Sequence, residues 1–306
     1  MFTMRDVLET AMFAPVAPLL AEHGERIKAA GLLHLSAPAT VEGVLALGHL
    51  EAACLDLGLK YRRRFFTSRH HLPRDAEAAW RVEETGLSIV LDVEEATRDI
   101  ANLTPSEHVH IVPLTTRVEL GSAHRRFTGS LDAVAQSAAL AAMLAQNGRR
   151  VRNLRPFLSL GLWLRAALDT NMDPIHTLLV NHLREEGTVR VVPLPEVHNP
   201  FTSSLDGLST RQLKRLAKVW PTMDVEERSM ALSELVLPCL TESDLSTPRL
   251  EELVWHRMLV GDCEVDVVSQ MESVRQAWPE DADDARLFAS SVLDRWLKTG
   301  VLSPNA

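Results

Sequence analysis

Cysteine is scarce in this chain of 306 residues: Cys54, Cys239 and Cys263 are the only three, far apart and never in a Cys-x-x-Cys pair. That pattern argues against a disulfide framework and against a zinc site built on thiolates. Long apolar runs are missing too. The most apolar amino-terminal stretch, Met1 to Ala21, is interrupted by Arg5, Asp6 and Glu9, and no run approaches the roughly 18 residues that a membrane span needs. A soluble, cytoplasmic protein without membrane contact is therefore expected. The chain also has no Gly-x-x-x-x-Gly-Lys loop, no Gly-x-Gly-x-x-Gly, no Gly-x-Ser-x-Gly elbow and no His-Glu-x-x-His, the spacings that cradle phosphate, seat a nucleophile or hold zinc. Without a complete catalytic constellation, binding is expected ahead of chemistry.

What is present is ordinary globular composition, 46% apolar and 24% charged, so no large disordered region is expected. The length favours two domains, or one domain with a large appendage, over one compact unit. Charge is unevenly spread. Residues 1–220 hold 25 Lys and Arg against 24 Asp and Glu, whereas residues 221–306 hold 7 against 17, so nearly all of the net charge of −9 belongs to the last part. An acidic surface repels phosphate, which directs any nucleic-acid contact to the first 220 residues and leaves a basic protein surface as the complement of the rest.

Apolar periodicity predicts a helix over the first 22 residues, a strand over Gly31 to Leu35, and a helix capped by Thr40 that ends at Gly58. Strands follow at Lys60 to Thr67, Leu87 to Val93 and Val109 to Leu114. Helices are expected over Asp75 to Thr85 and Leu131 to Gln146. Alternating strands and helices indicate an α/β fold with a parallel sheet covered by helices. Beyond Leu154 the pattern is nearly all helical: 154–168, 175–184, 210–220, 225–236, 250–260, 265–277 and 282–298, with a strand at Val189 to Leu194. Pro193, Pro195 and Pro200 mark the expected hinge, dividing an α/β domain, 1–195, from a helical, acidic domain, 196–306.

In such a sheet functional groups gather at the carboxyl ends of the strands. There the order Leu32-Leu33-His34, Thr40-Val41-Glu42-Gly43, then Leu57-Gly58-Leu59-Lys60-Tyr61 resembles the opening of the DHH phosphoesterases, and within them the archaeal RecJ-like proteins. Ile89-Val90-Leu91-Asp92 looks like the second family motif. Pro113-Leu114-Thr115-Thr116 occupies the place of the Asp-His-His motif, and Thr128-Gly129-Ser130-Leu131-Asp132 resembles the Gly-rich turn before a small-residue helix. The resemblance covers roughly residues 27–168. Active members hold two divalent metals on carboxylates and histidines, yet here Thr40 and Glu42 stand where paired aspartates belong, and only Asp92 survives in type. The resemblance therefore implies an inactivated RecJ-like protein without a cofactor, serving as a structural subunit in DNA replication or repair beside GINS and MCM helicase components. The alternative is an active DHH-type phosphoesterase on single-stranded nucleic acid or a small nucleotide, using the remnant positions Glu42 and Asp92 with Mn or Mg; a third reading is an unrelated α/β enzyme with a nucleotide substrate.

Two histidine pairs need separate reading. His70-His71 follows Arg69 ahead of Asp92 and reads as a solvated loop, while His108 and His110 share one face of a strand, as a metal pair or as an exposed strand end. Basic residues are the more informative positive feature. Arg211, Lys214, Arg215 and Lys218 recur at i, i+3, i+4 and i+7, one face of a helix whose other face carries Leu213, Leu216 and Trp220. Such a stripe suits the backbone of single-stranded DNA; a solvated helix face is the alternative. A second cluster comprises Arg149, Arg150, Arg152 and Arg155. In a third, Arg62, Arg63 and Arg64, strand alternation sends Arg63 to the opposite face. Arginine forks favour bidentate phosphate or carboxylate contact.

Overall fold

The computed structural model describes residues 7–73, 75–77, 79–120, 125–166, 174–201, 208–237, 256–261 and 265–304. Four parallel strands, β1 (Leu33–Pro38), β2 (Tyr61–Phe66), β3 (Leu87–Leu91) and β4 (Val109–Ile111), pair in the order β2-β1-β3-β4. The crossover from β1 to β2 is α2 (Val41–Leu57), the best-marked element in the sequence. Thr40 accepts a hydrogen bond from Gly43 N (3.0 Å) and Gly58 ends the helix at φ 67°, a left-handed conformation that glycine adopts without steric cost. A Cβ at Gly43 would overlap the Pro38 carbonyl oxygen, so glycine is required where the chain turns from strand into helix. From Val41 to Cys54, α2 is buried except at Glu42, which is half-buried. A helix apolar all round is one enclosed by its neighbours.

Two further helices join it. α3 (Ala133–Leu144) is rich in alanine and packs closely along α2. α1 (Ala17–Ala29) runs on through Gly24, beyond the end expected at residue 22, because Gly24 lies against Met143 of α3, where a Cβ would collide. Of the expected start, residues 1–6 lie outside the described residues and Val7–Glu9 form a 3-10 turn. The sheet is thus an α/β core with helices on one face, against Leu33, Leu35, Ile89 and Leu91.

The second face carries His34, Ser36, Ser88 and Val90, and among the described residues from Asp75 to Thr85 no helix forms over it, contrary to expectation. The described residues from 79 to 85 lie irregularly against that face instead. Trp80 packs on the rings of His108 and His110, and Glu83 N donates to Ser88 Oγ (2.9 Å).

Beyond β4 the structure departs further from the sequence reading. β5 (Leu114–Leu120) and β6 (Arg125–Leu131) form an antiparallel hairpin with Thr116 opposite Gly129. Pro113 to Thr116 therefore leads into a strand, and Thr128 to Leu131 is strand rather than Gly-rich turn. Asp132 follows as the cap of α3, accepting from Ala135 N (2.7 Å). Where a helix is expected over 154–168, α4 (Arg149–Leu154) ends, a 3-10 turn follows at Arg155–Phe157 and only α5 (Leu160–Ala166) is helical after it, because Pro156 lacks the amide hydrogen that a continuous helix needs; 167 and 168 lie outside the described residues. β7 (Arg190–Val192) pairs antiparallel with β8 (Arg257–Leu259); the helix expected at 250–260 is therefore strand at 257–259, and 250–255 lie outside the described residues.

The carboxyl-terminal part is mostly helical, as expected: α6 (Pro174–Glu185), α7 (Thr210–Val219), α8 (Val225–Val236), α9 (Val267–Gln276) and α10 (Ala282–Thr299). Among the described residues it shares the core of the α/β part, apart from a small cluster of Val192, Val197 and Leu259. One cluster of buried apolar residues runs from Val7 to Leu302, because α10 lies directly on α2. Trp296 is fully buried, its ring 5.0 Å from Phe157, on the space left by Gly48, where a Cβ would overlap the indole. Arg63 joins the two helices, reaching Glu51 (3.3 Å) and Asp294 (2.7 Å). The expected hinge is also packed. Pro195 is buried in a 3-10 turn, its carbonyl accepting from Arg228 (3.2 Å), while Trp220 donates to Val197 O (3.0 Å).

Candidate functional site at the carboxyl ends of the strands

β1 pairs with β2 on one side and β3 on the other, so the chain reverses direction across the sheet between β1 and β3, where open α/β sheets open a crevice. The loops leaving β2 and β3 meet there. Ser68, buried, accepts from His70 N (3.2 Å) and donates to Glu94 Oε1, while Arg69 N donates to Glu94 Oε2 (2.9 Å). These bonds set the 3-10 turn Arg69–His71 at a defined angle to the end of β3. The Arg69 side chain then crosses to Asp92 (3.2 Å) and Glu95 (2.8 Å), and Arg98 adds a further pair to Glu95 (3.3 Å).

Asp92 is buried at the end of β3, with the His110 ring 3.8 Å away. Burial pushes its carboxyl up, but the His110 ring and the Arg69 guanidinium outweigh that and hold it below the usual carboxylate range. An ionised carboxylate already matched by a guanidinium is poorly placed to act as a metal ligand or a general base. His108, beside His110 and Trp80, is held below the ordinary histidine value by burial first, and then by its neighbours His110 and Arg26. Among the described residues no three His, Cys, Asp or Glu side chains stand together as a metal-binding group.

In front of this network lies a cleft of about 470 Å3. Thr40 and Glu42 at the start of α2, His70 and His71, Arg275 in the last turn of α9 and Trp278 just beyond it line the cleft. The carboxyl-terminal helices therefore form one wall of the site. Glu42 and Asp92, the two remnant positions, are separated in role: Glu42 faces the cleft, while Asp92 sits behind Arg69. His70 is exposed and packs edge-on against His71, with ring centroids 5.4 Å apart.

No family model matches the chain, and neither does any curated protein. The likeness to DHH phosphoesterases rests on the order and spacing of residues, and two of its four segments, at 113–116 and 128–131, lie in the β5–β6 hairpin.

The basic clusters fall into different environments. Arg211, Lys214, Arg215 and Lys218 are all exposed along α7, which is anchored by buried Leu213, Leu216 and Trp220. Among the described residues none of the four is ion-paired. The second cluster is not a continuous surface. Arg149 and Arg152 are exposed, and Arg150 pairs with Asp56 (3.1 Å). Arg155, expected among the phosphate contacts, is 4% exposed and makes two bonds to Glu186, at 2.6 and 2.7 Å, so its guanidinium is committed to that carboxylate. Sequence reasoning also missed Arg69, because a lone arginine beside two histidines looks like loop, and its partner lies 23 positions further along.

Proposed function

We propose that the protein is a non-catalytic binding subunit, cytoplasmic and without a metal cofactor, that holds single-stranded nucleic acid through α7. One observation carries the first half: Asp92, the surviving acid at the end of β3, is buried and matched by Arg69. The exposed stripe on α7 supports the second half, since four cations on one helix face follow a phosphate backbone without reading bases. The RecJ-like resemblance adds the setting, DNA replication or repair, and the partners to try first, GINS- and MCM-type helicase components. Nucleic-acid binding is testable by itself. Fluorescence anisotropy with a labelled single-stranded oligonucleotide, over a series of KCl concentrations, gives the salt slope. Replacing Arg211, Lys214, Arg215 and Lys218 together by Gln reduces that slope by roughly 3, at about 0.7 per phosphate contact on a single strand. An unchanged slope removes α7 from the interface.

A further inference from the structure

A groove on the second face of the sheet, at its β1–β2 side, takes no part in the Asp92–Arg69 network or in the α7 stripe. Strand register sets its walls. Arg62 stands opposite His34 and Arg64 opposite Ser36, so both guanidiniums leave the same face, separated by about 7 Å of strand. Arg63 between them turns to the other face, where Glu51 and Asp294 hold it. Arg62 and Arg64 are exposed, and among the described residues neither is ion-paired, a local positive patch in a chain of net charge −9.

The groove encloses about 280 Å3, and Trp80 and buried Phe66 contribute its aromatic surface. Trp80 is braced by the rings of His108 and His110, at centroid distances of 5.4 and 5.3 Å. His34 adds a buried ring nitrogen, Nε2, with no hydrogen-bond partner. At the rim Arg81 is matched by Glu83 (3.1 Å), which leaves Arg62 and Arg64 as the uncompensated charges.

We propose that this groove binds a mononucleotide, with the phosphate on Arg62 and Arg64 and the base against Trp80. Two unpaired guanidinium forks on one face select an oxyanion that accepts several hydrogen bonds at once. A braced indole selects a planar partner. The volume lies near the lower end of the range for small-molecule sites, roughly 300–1,000 Å3, enough for one nucleotide and too little for a run of stacked bases. Neither the absence of metal chemistry at Asp92 nor strand binding by α7 is needed for this site.

Isothermal titration of the full chain with AMP and ADP, and separately with adenosine and inorganic phosphate, tests it. The nucleotides bind, and adenosine and phosphate each bind at least about tenfold more weakly, since each supplies one half of the contact. The double substitution Arg62→Gln with Arg64→Gln weakens AMP binding by roughly 10- to 100-fold, the loss expected for one or two charge-assisted hydrogen bonds. Trp80→Leu weakens AMP more than it weakens phosphate. Arg149→Gln with Arg152→Gln, exposed on α4, leaves AMP binding as it was. Circular dichroism melting checks that each variant is folded. No heat from AMP or ADP at millimolar concentration overturns the proposal, as does binding that survives the double substitution. Capture of a single-stranded oligonucleotide through Arg62 and Arg64 without any mononucleotide binding also overturns it.

Discussion

Several buried side chains in this protein are ionisable, and at the scale of single residues their surroundings decide what they do. Asp92 stays charged because Arg69 and His110 face it; His49 does the opposite. Its ring is buried under Trp296, 5.7 Å between centroids, and burial, reinforced by the charge of Arg155, pushes its pKa down from 6.5 to about 3. His23, against α3, is pushed down to about 4, again by burial first. Both remain neutral in the folded chain while the unfolded chain takes up protons near pH 6.5. Stability is therefore complete above pH 6.5 and falls as the pH drops toward 3 to 4, by about 1.4 kcal/mol per pH unit for each histidine. Urea unfolding between pH 7.5 and 5 reads that slope. His49→Gln reduces it by about half, whereas an equal slope in the variant contradicts the assignment.

Among the elements, α2 was legible almost to the residue, since Thr40, Gly43 and Gly58 mark its ends by local rules that operate before any tertiary contact forms. The hairpin was not. β6 reads Arg-Arg-Phe-Thr-Gly-Ser-Leu, with glycine and serine where strand-forming residues are expected, and only pairing with β5 makes it a strand. β8, three residues long, is too short to show an alternating pattern within an otherwise helical region. The region from Asp75 to Thr85 failed for another reason: its charge and alanine content suit a helix, but Trp80 and Glu83 are held by the sheet beneath them. The site was legible in part. Thr40, Glu42 and Asp92 stand at the strand ends as expected, while Arg69, Arg275 and Trp278 come from distant segments whose convergence no spacing announces.

α4 illustrates why a basic cluster in sequence is not a basic surface. Four arginines lie within seven positions, yet helix and turn geometry send Arg155 inward to Glu186, whose carboxyl is lowered to about 2 because hydrogen bonds from His182 and Arg155 outweigh its burial. Breaking a buried pair from one side leaves an uncompensated charge, at a cost of about 3–5 kcal/mol. Arg155→Gln is expected to lower stability by that amount, while Arg149→Gln and Arg152→Gln, on the exposed side, change it by roughly 0.5 kcal/mol or less. Equal effects from all three, measured by chemical denaturation, contradict the inward placement of Arg155.

For the whole molecule, the acidic carboxyl-terminal part and the α/β part share one core, with Trp296, Leu293 and Val292 of α10 all buried. The acidic carboxyl-terminal part therefore completes the core and supplies Arg275 and Trp278 to the cleft. Removing residues 221–306 uncovers the α2 surface beneath Trp296, and the truncated chain is expected to be insoluble on expression; a soluble, cooperatively melting 1–220 fragment contradicts the shared core. Among the described residues no helix is long and apolar enough to cross a membrane.

Under the proposed function, the strand-end acid Asp92 serves structure and not metal-dependent hydrolysis. Incubating the purified chain with end-labelled single-stranded DNA and RNA in Mg²⁺ or Mn²⁺, alongside Asp92→Ala, tests it most directly. Intact oligonucleotide is expected with the native protein in either metal; metal-dependent cleavage that disappears with Asp92→Ala contradicts the structural role.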